Sequence, residues 1–173
     1  ERPLITVNVA PRELEEPDFA ADLSESLDKA GLDPAAIVLE ITERAFVRDA
    51  DAVAVKLEEL RRLGLQIAVD DFGTGHSSLS YLKELPAEVL KIDKAFVDGI
   101  DKSEDHQVFF ESIVAMARSR HKITVAEGVE TAEQVAIVVG SGCDLIQGYY
   151  FAKPMEASEL VEIARSDQVL PVR

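Results

Sequence analysis

Two adjacent carboxylates, Asp70 and Asp71, follow a short apolar run and precede a glycine-rich turn. This pattern is typical of a buried parallel strand that delivers acidic side chains to a functional loop. Side chains alternate across a strand and neighbouring carboxylates repel each other, so a cation would compensate the pair if both stay ionised. A solvated Asp-Asp turn explains an isolated pair equally well, because turns favour Asp and Gly. The polar residues on the other apolar runs must decide between these interpretations.

Five further apolar runs carry a polar side chain inside them or at their end, and these residues are Asn8, Glu40, Lys91, Glu127 and Gln147. Each one taken alone is explained as a satisfied polar group at the end of a strand. Six such runs in succession favour one shared functional site, because buried acids without a compensating group repel one another and lose hydration.

Oxygen donors dominate this set of residues, and no His or Cys accompanies them. Such donors select hard divalent cations such as Mg²⁺ or Mn²⁺ rather than zinc. The best candidate ligands are Asn8, Glu40, Asp70 and Asp71.

Lys91 lies within the apolar run Val-Leu-Lys-Ile. A lysine inside a barrel must pair with carboxylates or have its pKa lowered, and either state lets it hold a water or a phosphate oxygen. The alternative is an edge-strand lysine whose ammonium reaches solvent. Glu127 is a candidate metal ligand or general base, and Glu130 is placed to orient its neighbours. After the last run, Phe151 could stack on a base and Pro154 could shape the rim of the site.

The elements that must position these side chains are predicted from hydrophobic periodicity. Six strands are predicted at 4–9, 37–43, 67–71, 89–93, 123–127 and 145–148, with helical patterns between most of them and a short helical turn at 79–82. Asp49 or Asp51 is predicted to cap the second helix, and Thr131-x-x-Gln134 is predicted to form a capping box at a later one. Phe109 and its neighbour Phe110 are predicted to lie in the core, with one of them a candidate for a subunit contact.

Strands that alternate with helices indicate βαβ units and a parallel sheet. An open doubly wound sheet binds ligands at one switch point, whereas a barrel draws its functional groups from the carboxyl ends of many strands. The distribution of polar residues therefore favours an α/β fold of the TIM-like barrel type. A complete barrel has eight strands and about 250 residues, so the six predicted strands indicate a partial one.

The bulk composition limits the classes of function. The 173 residues are 47% hydrophobic and 29% charged, which predicts one soluble domain over 1–165 with a short tail at 166–173. A net charge of −15 argues against DNA, RNA or an anionic membrane as the main partner. The single cysteine, Cys143, excludes an internal disulfide. We expect a cytoplasmic protein, or the cytosolic domain of a membrane-anchored one.

Six stretches resemble, in order and spacing, the motifs of EAL-domain cyclic-di-GMP phosphodiesterases. They are Asn8-Val9, Glu40-Ile41-Thr42-Glu43, Asp70-Asp71-Phe72-Gly73-Thr74-Gly75, Lys91-Ile92-Asp93, Glu127-Gly128-Val129-Glu130 and Gln147-Gly148-Tyr149. The resemblance implies a TIM-like barrel that uses two Mg²⁺ or Mn²⁺ ions to hydrolyse cyclic di-GMP to the linear dinucleotide pGpG. It also implies a homodimer and an attached sensory or GGDEF domain in the full-length protein.

The resemblance further implies a role for each matching residue. Asn8, Glu40, Asp70, Asp71 and Glu127 would bind metal, and Lys91 would hold or activate the water together with Glu127 and Asp71. Glu130 and Gln147 would complete the site. Glu43 would hold the loop from Phe72 to Ser78 in place.

The chain also departs from the family pattern. The Glu-Ala-Leu stretch that names the family is absent, and Ala10, Glu13 and His76 stand where serine, glutamine and tyrosine are usual. The missing glutamate leaves a second hypothesis open, in which an inactive EAL domain serves as a cyclic-di-GMP receptor or regulatory module. An unrelated metal-dependent barrel enzyme is a third.

Overall fold

A computed structural model describes residues 4–46, 50–73 and 86–165. The described residues form a six-stranded, fully parallel sheet in which each strand pairs with the next one along the chain. The strands are β1 (Ile5–Val9), β2 (Ile37–Thr42), β3 (Gln66–Phe72), β4 (Val89–Ile92), β5 (Ile123–Ala126) and β6 (Leu145–Ile146). The prediction of six parallel strands in an α/β fold is therefore confirmed.

Helices connect the strands, as the alternating pattern predicted. They are α1 (Pro11–Leu14), α2 (Phe19–Ala30), α3 (Ala50–Arg62), α4 (Lys94–Val97), α5 (Glu104–Ser119), α6 (Ala132–Gly140) and α7 (Ala157–Arg165), with 3₁₀ turns at Pro34–Ala36 and Glu43–Phe46. Neither α1 nor α4 was predicted from the sequence. Each has only four residues, too few to show a helical period.

The hydrophobic core lies between the sheet and the helices. Ile41, Ile67 and Ile92 come from neighbouring strands and are fully buried, and Leu57 of α3 and Phe110 of α5 are fully buried with them. Strand side chains on the opposite face line an inner cavity of about 440 Å³, which is bordered by Thr6, Val38, Ala68, Val89 and Val125 among others. Polar residues at the strand ends on this second face are thus directed toward one mouth.

Two predicted helix caps have different outcomes. The capping box of Thr131 and Gln134 is confirmed, because the Thr131 side chain accepts from the Gln134 amide and the Gln134 side chain accepts from the Thr131 amide. Asp51 as a cap is wrong, since α3 begins at Ala50 and Asp51 lies inside its first turn. Asp49 lies outside the described residues.

Phe110 is completely buried, as predicted, but Phe109 is 55% exposed and its placement in the core was wrong. Phe109 stacks on Phe96 of α4 with the ring centroids 5.4 Å apart. Two adjacent residues of a helix point about 100° apart, so only one of them can face the sheet.

Several predicted features lie outside the described residues: the helical turn at 79–82, His76, the loop from Thr74 to Ser78 and the tail at 166–173. The domain boundary at 165 therefore stays a prediction. In the part of the chain that the structure describes, no helix is both long enough and apolar enough to cross a bilayer.

Candidate active site

Lys91 lies at the centre of a cluster formed by three neighbouring strands and the end of a fourth. Its Nζ is 2.9 Å from Glu40 Oε2 on β2, 2.9 Å from Asp70 Oδ1 on β3 and 2.7 Å from Glu127 Oε1 just after β5. Lys91 and Glu40 are buried, at 6% and 5% exposure. Because all strands run in the same direction, their carboxyl ends meet at one rim and bring these groups together.

The groups around Lys91 determine whether its side chain is charged or neutral. Burial opposes the charged form, but the close carboxylates of Glu127, Glu40 and Asp70 outweigh it and raise the pKa of Lys91. Of the two states expected for a lysine at this position, the structure shows the paired ammonium and not the lowered pKa. The alternative of a solvent-reaching lysine is wrong, since the side chain is only 7% exposed.

A β-bulge explains how two consecutive aspartates reach the same site. Val69 pairs with Leu90 and Phe72 pairs with Ile92, so two residues of β3, Asp70 and Asp71, stand opposite the single residue between Leu90 and Ile92. The backbone of Asp71 is left-handed at φ 53°, a conformation that aspartate tolerates better than most residues. Without the extra residue, strand alternation would direct the two carboxylates to opposite faces.

The carboxylates meet at short distances. Single oxygens of Asp70, Asp71 and Glu127 all lie within 4.8 Å of one another. Asp71 is exposed, yet partial desolvation raises the pKa of its carboxyl, and the nearby carboxylates of Asp70 and Asp93 raise it further. Like charges this close disfavour ionisation unless a cation compensates them.

The same group fits a hard divalent cation. All its donors are carboxylate oxygens, which suit Mg²⁺ and Mn²⁺. Among the described residues, the buried oxygen Asp70 Oδ1 contacts Lys91 as an ion pair but makes no hydrogen bond of acceptable geometry. An under-satisfied buried acceptor beside two further carboxylates is the arrangement that a bound cation would complete.

Glu127 follows β5 directly and continues its ladder, because its amide donates to Ile92 O at 3.1 Å. Burial raises the pKa of Glu127, although the hydrogen bond and charge of Lys91 lower it in part. A carboxylate whose pKa is moved toward neutrality is better suited to exchange protons with a water than an ordinary glutamate.

Glu43 and the loop after β3 are joined directly. Glu43 is buried, and its Oε2 accepts from the Gly73 amide at 2.8 Å. Gly73 has φ +96°, and a Cβ there would lie 2.6 Å from the Phe96 ring. The bond from Glu43 holds the Gly73 backbone, and the Phe96 ring leaves room only for glycine at this position. The part of the loop from Thr74 to Ser78 lies outside the described residues.

Two of the remaining predicted residues border the same inner cavity as Glu40 and Lys91. Asn8 is exposed and stands opposite Glu40 in the β1–β2 register. Gln147 and the half-buried Phe151 line the inner cavity. Pro154 is exposed beyond them, and its place at the rim stays a prediction.

Glu130 is not joined to the cluster by the contacts that the structure describes for it. Its Oε1 pairs with Lys94 Nζ at 2.9 Å, and its amide donates to Gln134 Oε1 at 2.8 Å. Lys94 was missed by the sequence analysis, as was the part played by Asp93, which accepts from the Ala95 amide at the start of α4. Asp93 ends the Lys91-Ile92-Asp93 motif and Lys94 follows it, so the polar character of that stretch was the available signal.

A larger cleft of about 1020 Å³ lies elsewhere, between α1, α3 and the 3₁₀ turn after β2. Its lining includes Arg12, Arg44 and Lys56 but none of the clustered carboxylates. Size alone would select this cleft, whereas the chemistry lies at the mouth of the smaller inner cavity.

Comparison with known proteins agrees with this geometry. Residues 1–154 match the family model described as EAL domain. The cyclic di-GMP phosphodiesterase NbdA of Pseudomonas aeruginosa is 38% identical over 176 residues, covering all of this chain and 22% of NbdA. The bifunctional diguanylate cyclase/cyclic di-GMP phosphodiesterase MucR of the same organism is 40% identical over 157 residues, covering 91% of this chain and 23% of MucR. The chain thus spans about a fifth of the length of these curated relatives.

Solved structures show the same fold. The EAL domain of Mycobacterium smegmatis DcpA has a TM-score of 0.91 and 34% identity, over 96% of this chain and 74% of that one. The PaMucR phosphodiesterase in complex with c-di-GMP has a TM-score of 0.86 and 39% identity, over 91% and 64%. A manganese and cyclic-di-GMP complex of Klebsiella pneumoniae BlrP1 has a TM-score of 0.83 and 34% identity, over 88% and 39%.

Proposed function

Since the chain belongs to the EAL domain family, we propose that it hydrolyses one phosphodiester bond of cyclic di-GMP and releases linear pGpG, in a reaction that needs Mg²⁺ or Mn²⁺. The observation that carries this proposal is the cluster in which Glu40, Asp70 and Glu127 surround Lys91, with Asp71 turned toward them by the β-bulge. Relatives named as phosphodiesterases support the choice of reaction.

Two cations would be held by Asn8, Glu40, Asp70, Asp71 and Glu127. The short distances within the carboxylate trio support this assignment, and so does a related solved structure that contains both manganese and the cyclic dinucleotide. When bound, such ions neutralise the phosphate, acidify a water and stabilise the attacking and leaving oxygens.

The chain's own residues would carry out the proton transfer and the orientation. Glu127 would accept the proton of the attacking water, since its raised pKa makes the carboxylate a better base than an ordinary glutamate. Lys91 Nζ would donate to that water or to a phosphate oxygen and keep the surrounding acids ionised. Asp71 would act beside the second cation, and Glu43 would fix the loop after β3 through Gly73.

The inner cavity would receive part of the substrate. Gln147 and Phe151 line it; the amide can donate to a phosphate or base, and the ring can stack on a guanine. Pro154 would shape the rim beside them, and Glu130 would support the loop that carries Glu127.

The wider setting is proposed on the same basis. The full-length protein would act in the cytoplasm as a homodimer, with a sensory or GGDEF domain attached. Relatives much longer than this chain, one of them named as a bifunctional cyclase and phosphodiesterase, support the attached domain.

The test is turnover by the full-length protein. Wild type with Mn²⁺ should convert cyclic di-GMP to pGpG, and EDTA should stop the reaction. The conversion is measured by chromatographic separation of the two nucleotides. Asp70→Asn, which keeps the shape of the side chain and removes its charge, should lower kcat at least about 10²-fold. Lys29→Ala, which breaks an exposed ion pair with Glu25 on α2, is the matched control and should leave turnover unchanged.

Two results would overturn the proposal. One is the absence of pGpG from the wild-type reaction although calorimetry shows that the nucleotide binds, a result that favours the receptor. The other is turnover by Asp70→Asn equal to that of wild type.

A further inference from the structure

The loop that carries Glu127 is held from two sides, and only one of them is the sheet. On the sheet side, the Val129 amide donates to Gln147 O at 3.1 Å and Val129 O accepts from the Tyr150 amide at 3.1 Å. A Cβ on Gly148 would lie 2.0 Å from Val129 O. The backbones after β5 and β6 therefore touch, and only glycine permits this approach.

On the other side, Lys94 of α4 lies against the loop. Gly128 has φ +69°, and a Cβ there would lie 2.4 Å from Lys94 Cγ and 2.6 Å from Lys94 Cδ. The stem of Lys94 therefore packs directly on the residue after Glu127. Its ammonium continues to Glu130 Oε1, at 2.9 Å, and is also bound by Asp98 Oδ1 at 2.8 Å.

A second contact from α4 reinforces the first. Gln134 Nε2 donates to Val97 O at 3.4 Å, while Gln134 Oε1 accepts from the amides of Glu130 and Thr131 at 2.8 and 3.1 Å. Both ends of α4 are therefore tied to the segment that begins at Gly128. Since α4 begins three residues after Lys91, the Lys91 strand and the Glu127 loop are coupled through this short helix.

We infer that Lys94 is a positioning residue that fixes the loop carrying Glu127 relative to Lys91. This inference rests on the proposed function, because it assigns Glu127 to proton transfer. Lys94 touches Gly128 and Glu130, which both follow Glu127 within three residues, and no contact described for it reaches the carboxylate trio. It therefore acts through the loop.

The exposure of the ion pairs predicts what kind of effect Lys94 has. The side chains of Lys94 and Glu130 are 45% and 48% exposed, and ion pairs in water contribute little to global stability. Catalysis is more sensitive, because a displacement of about 1 Å at a reacting group can lower the rate about 10²-fold. Loss of Lys94 should thus reduce kcat while the melting temperature hardly changes.

Steady-state hydrolysis by the full-length protein with Mn²⁺ tests this. Lys94→Ala should lower kcat about 10- to 100-fold and leave KM within about twofold, since the loop is not proposed to bind the substrate. Lys94→Arg, which keeps a charged stem, should recover most of the loss. Asp98→Asn is the matched control: it removes one partner of the same ammonium and leaves the contact with the loop, so kcat should stay near that of wild type.

A second measurement does not depend on activity. Amide hydrogen exchange without metal or substrate should be faster at 127–134 in Lys94→Ala than in wild type, and unchanged at 104–119 in α5. If Lys94→Ala fails to fold, Lys94→Met, which keeps the packing on Gly128, takes its place in both measurements.

The outcomes separate this inference from the proposed function. Wild-type turnover together with unchanged kcat and unchanged exchange in Lys94→Ala would overturn the inference and leave the function standing. Faster exchange at 127–134 in a protein that hydrolyses no cyclic di-GMP would support the link between Lys94 and the loop and overturn the function. A lower kcat accompanied by a clearly lower melting temperature, without rescue by Lys94→Arg, would also overturn the inference, because it would indicate a general loss of stability.

Discussion

The acidic side chains at the two ends of the parallel strands differ in how they are paired with hydrogen-bond donors. At the amino ends, Glu88 accepts from the Ile67 amide at 3.0 Å and from Arg61 at 2.6 Å, and Asp144 accepts from both the amide and the hydroxyl of Thr124 at 2.8 Å. At the carboxyl ends, several carboxylates share the single ammonium of Lys91.

The difference teaches which end serves stability and which serves chemistry. Glu88 and Asp144 each have hydrogen-bond donors of their own, so their carboxylates need no further ligand. At the carboxyl ends, Asp70 Oδ1 lacks a hydrogen bond among the described residues, and Asp71 adopts a left-handed backbone. Groups held in such unfavourable states are typical of sites that a ligand completes.

The largest expected effect comes from the centre of the carboxyl-end cluster. Lys91→Met leaves buried carboxylates facing one another, and breaking a buried ion pair costs about 3–5 kcal/mol. We expect the free energy of unfolding in EDTA to fall by this amount, measured by urea denaturation. Mn²⁺ at about 100 times its dissociation constant should restore about 2.7 kcal/mol, because the ion neutralises the same acids. If Lys91→Met and wild type have the same urea midpoint of unfolding in EDTA, the comparison of the two strand ends is wrong.

A smaller effect is expected at the amino ends. Glu88→Gln keeps the size of the side chain but weakens both the pair with Arg61 and the bond to the Ile67 amide, so the free energy of unfolding should fall by about 1–2 kcal/mol. Hydrolysis of cyclic di-GMP should not change, because Glu88 lies at the opposite end of the sheet. A loss of kcat without a loss of stability would show that the two ends are not separate in function.

The smallest effect is a difference in the sign of the pH dependence. Burial raises the pKa of Glu127, so its contribution to stability is present below its unfolded pKa of about 4.3 and is lost as the pH rises through the higher folded value. The bonds from Thr124 lower the pKa of Asp144. Its contribution is therefore present above about pH 3.9 and is lost as the pH falls through the lower folded value.

Urea unfolding in EDTA between about pH 3 and 7 measures both effects. Glu127→Gln should become more stable relative to wild type as the pH rises, whereas Asp144→Asn should become less stable relative to wild type over the lowest part of the range as the pH rises. Parallel curves for wild type and either variant would refute the assignment for that residue.

The sequence predicted the fold and the meeting of Glu40, Asp70, Lys91 and Glu127, for a physical reason. Every strand repeats an apolar run with a polar residue near its carboxyl end, and parallel strands must bring such ends together. Glu40, Asp70, Lys91 and Glu127 could therefore be placed at one rim from spacing alone.

Other features depend on contacts that the chain order does not reveal. The β-bulge at Asp70 and Asp71 follows from pairing with β4 and breaks the alternation that strand prediction assumes. Lys94 and Gly128 are 34 residues apart, and their contact exists only once α4 and the loop after β5 are packed. The exposure of Phe109 likewise depends on how α5 rotates against the sheet.

The β-bulge also limits how this chemistry could be transplanted. A designer who grafts only the Asp-Asp dipeptide onto a regular strand of another barrel would obtain one acid inside and one outside. The graft has to include the additional residue, the left-handed turn at Asp71 and the glycine that follows, together with a neighbouring strand offset by one position beyond Val69. The acid pair is thus a property of two strands in a given alignment, and it can be moved only as that whole unit.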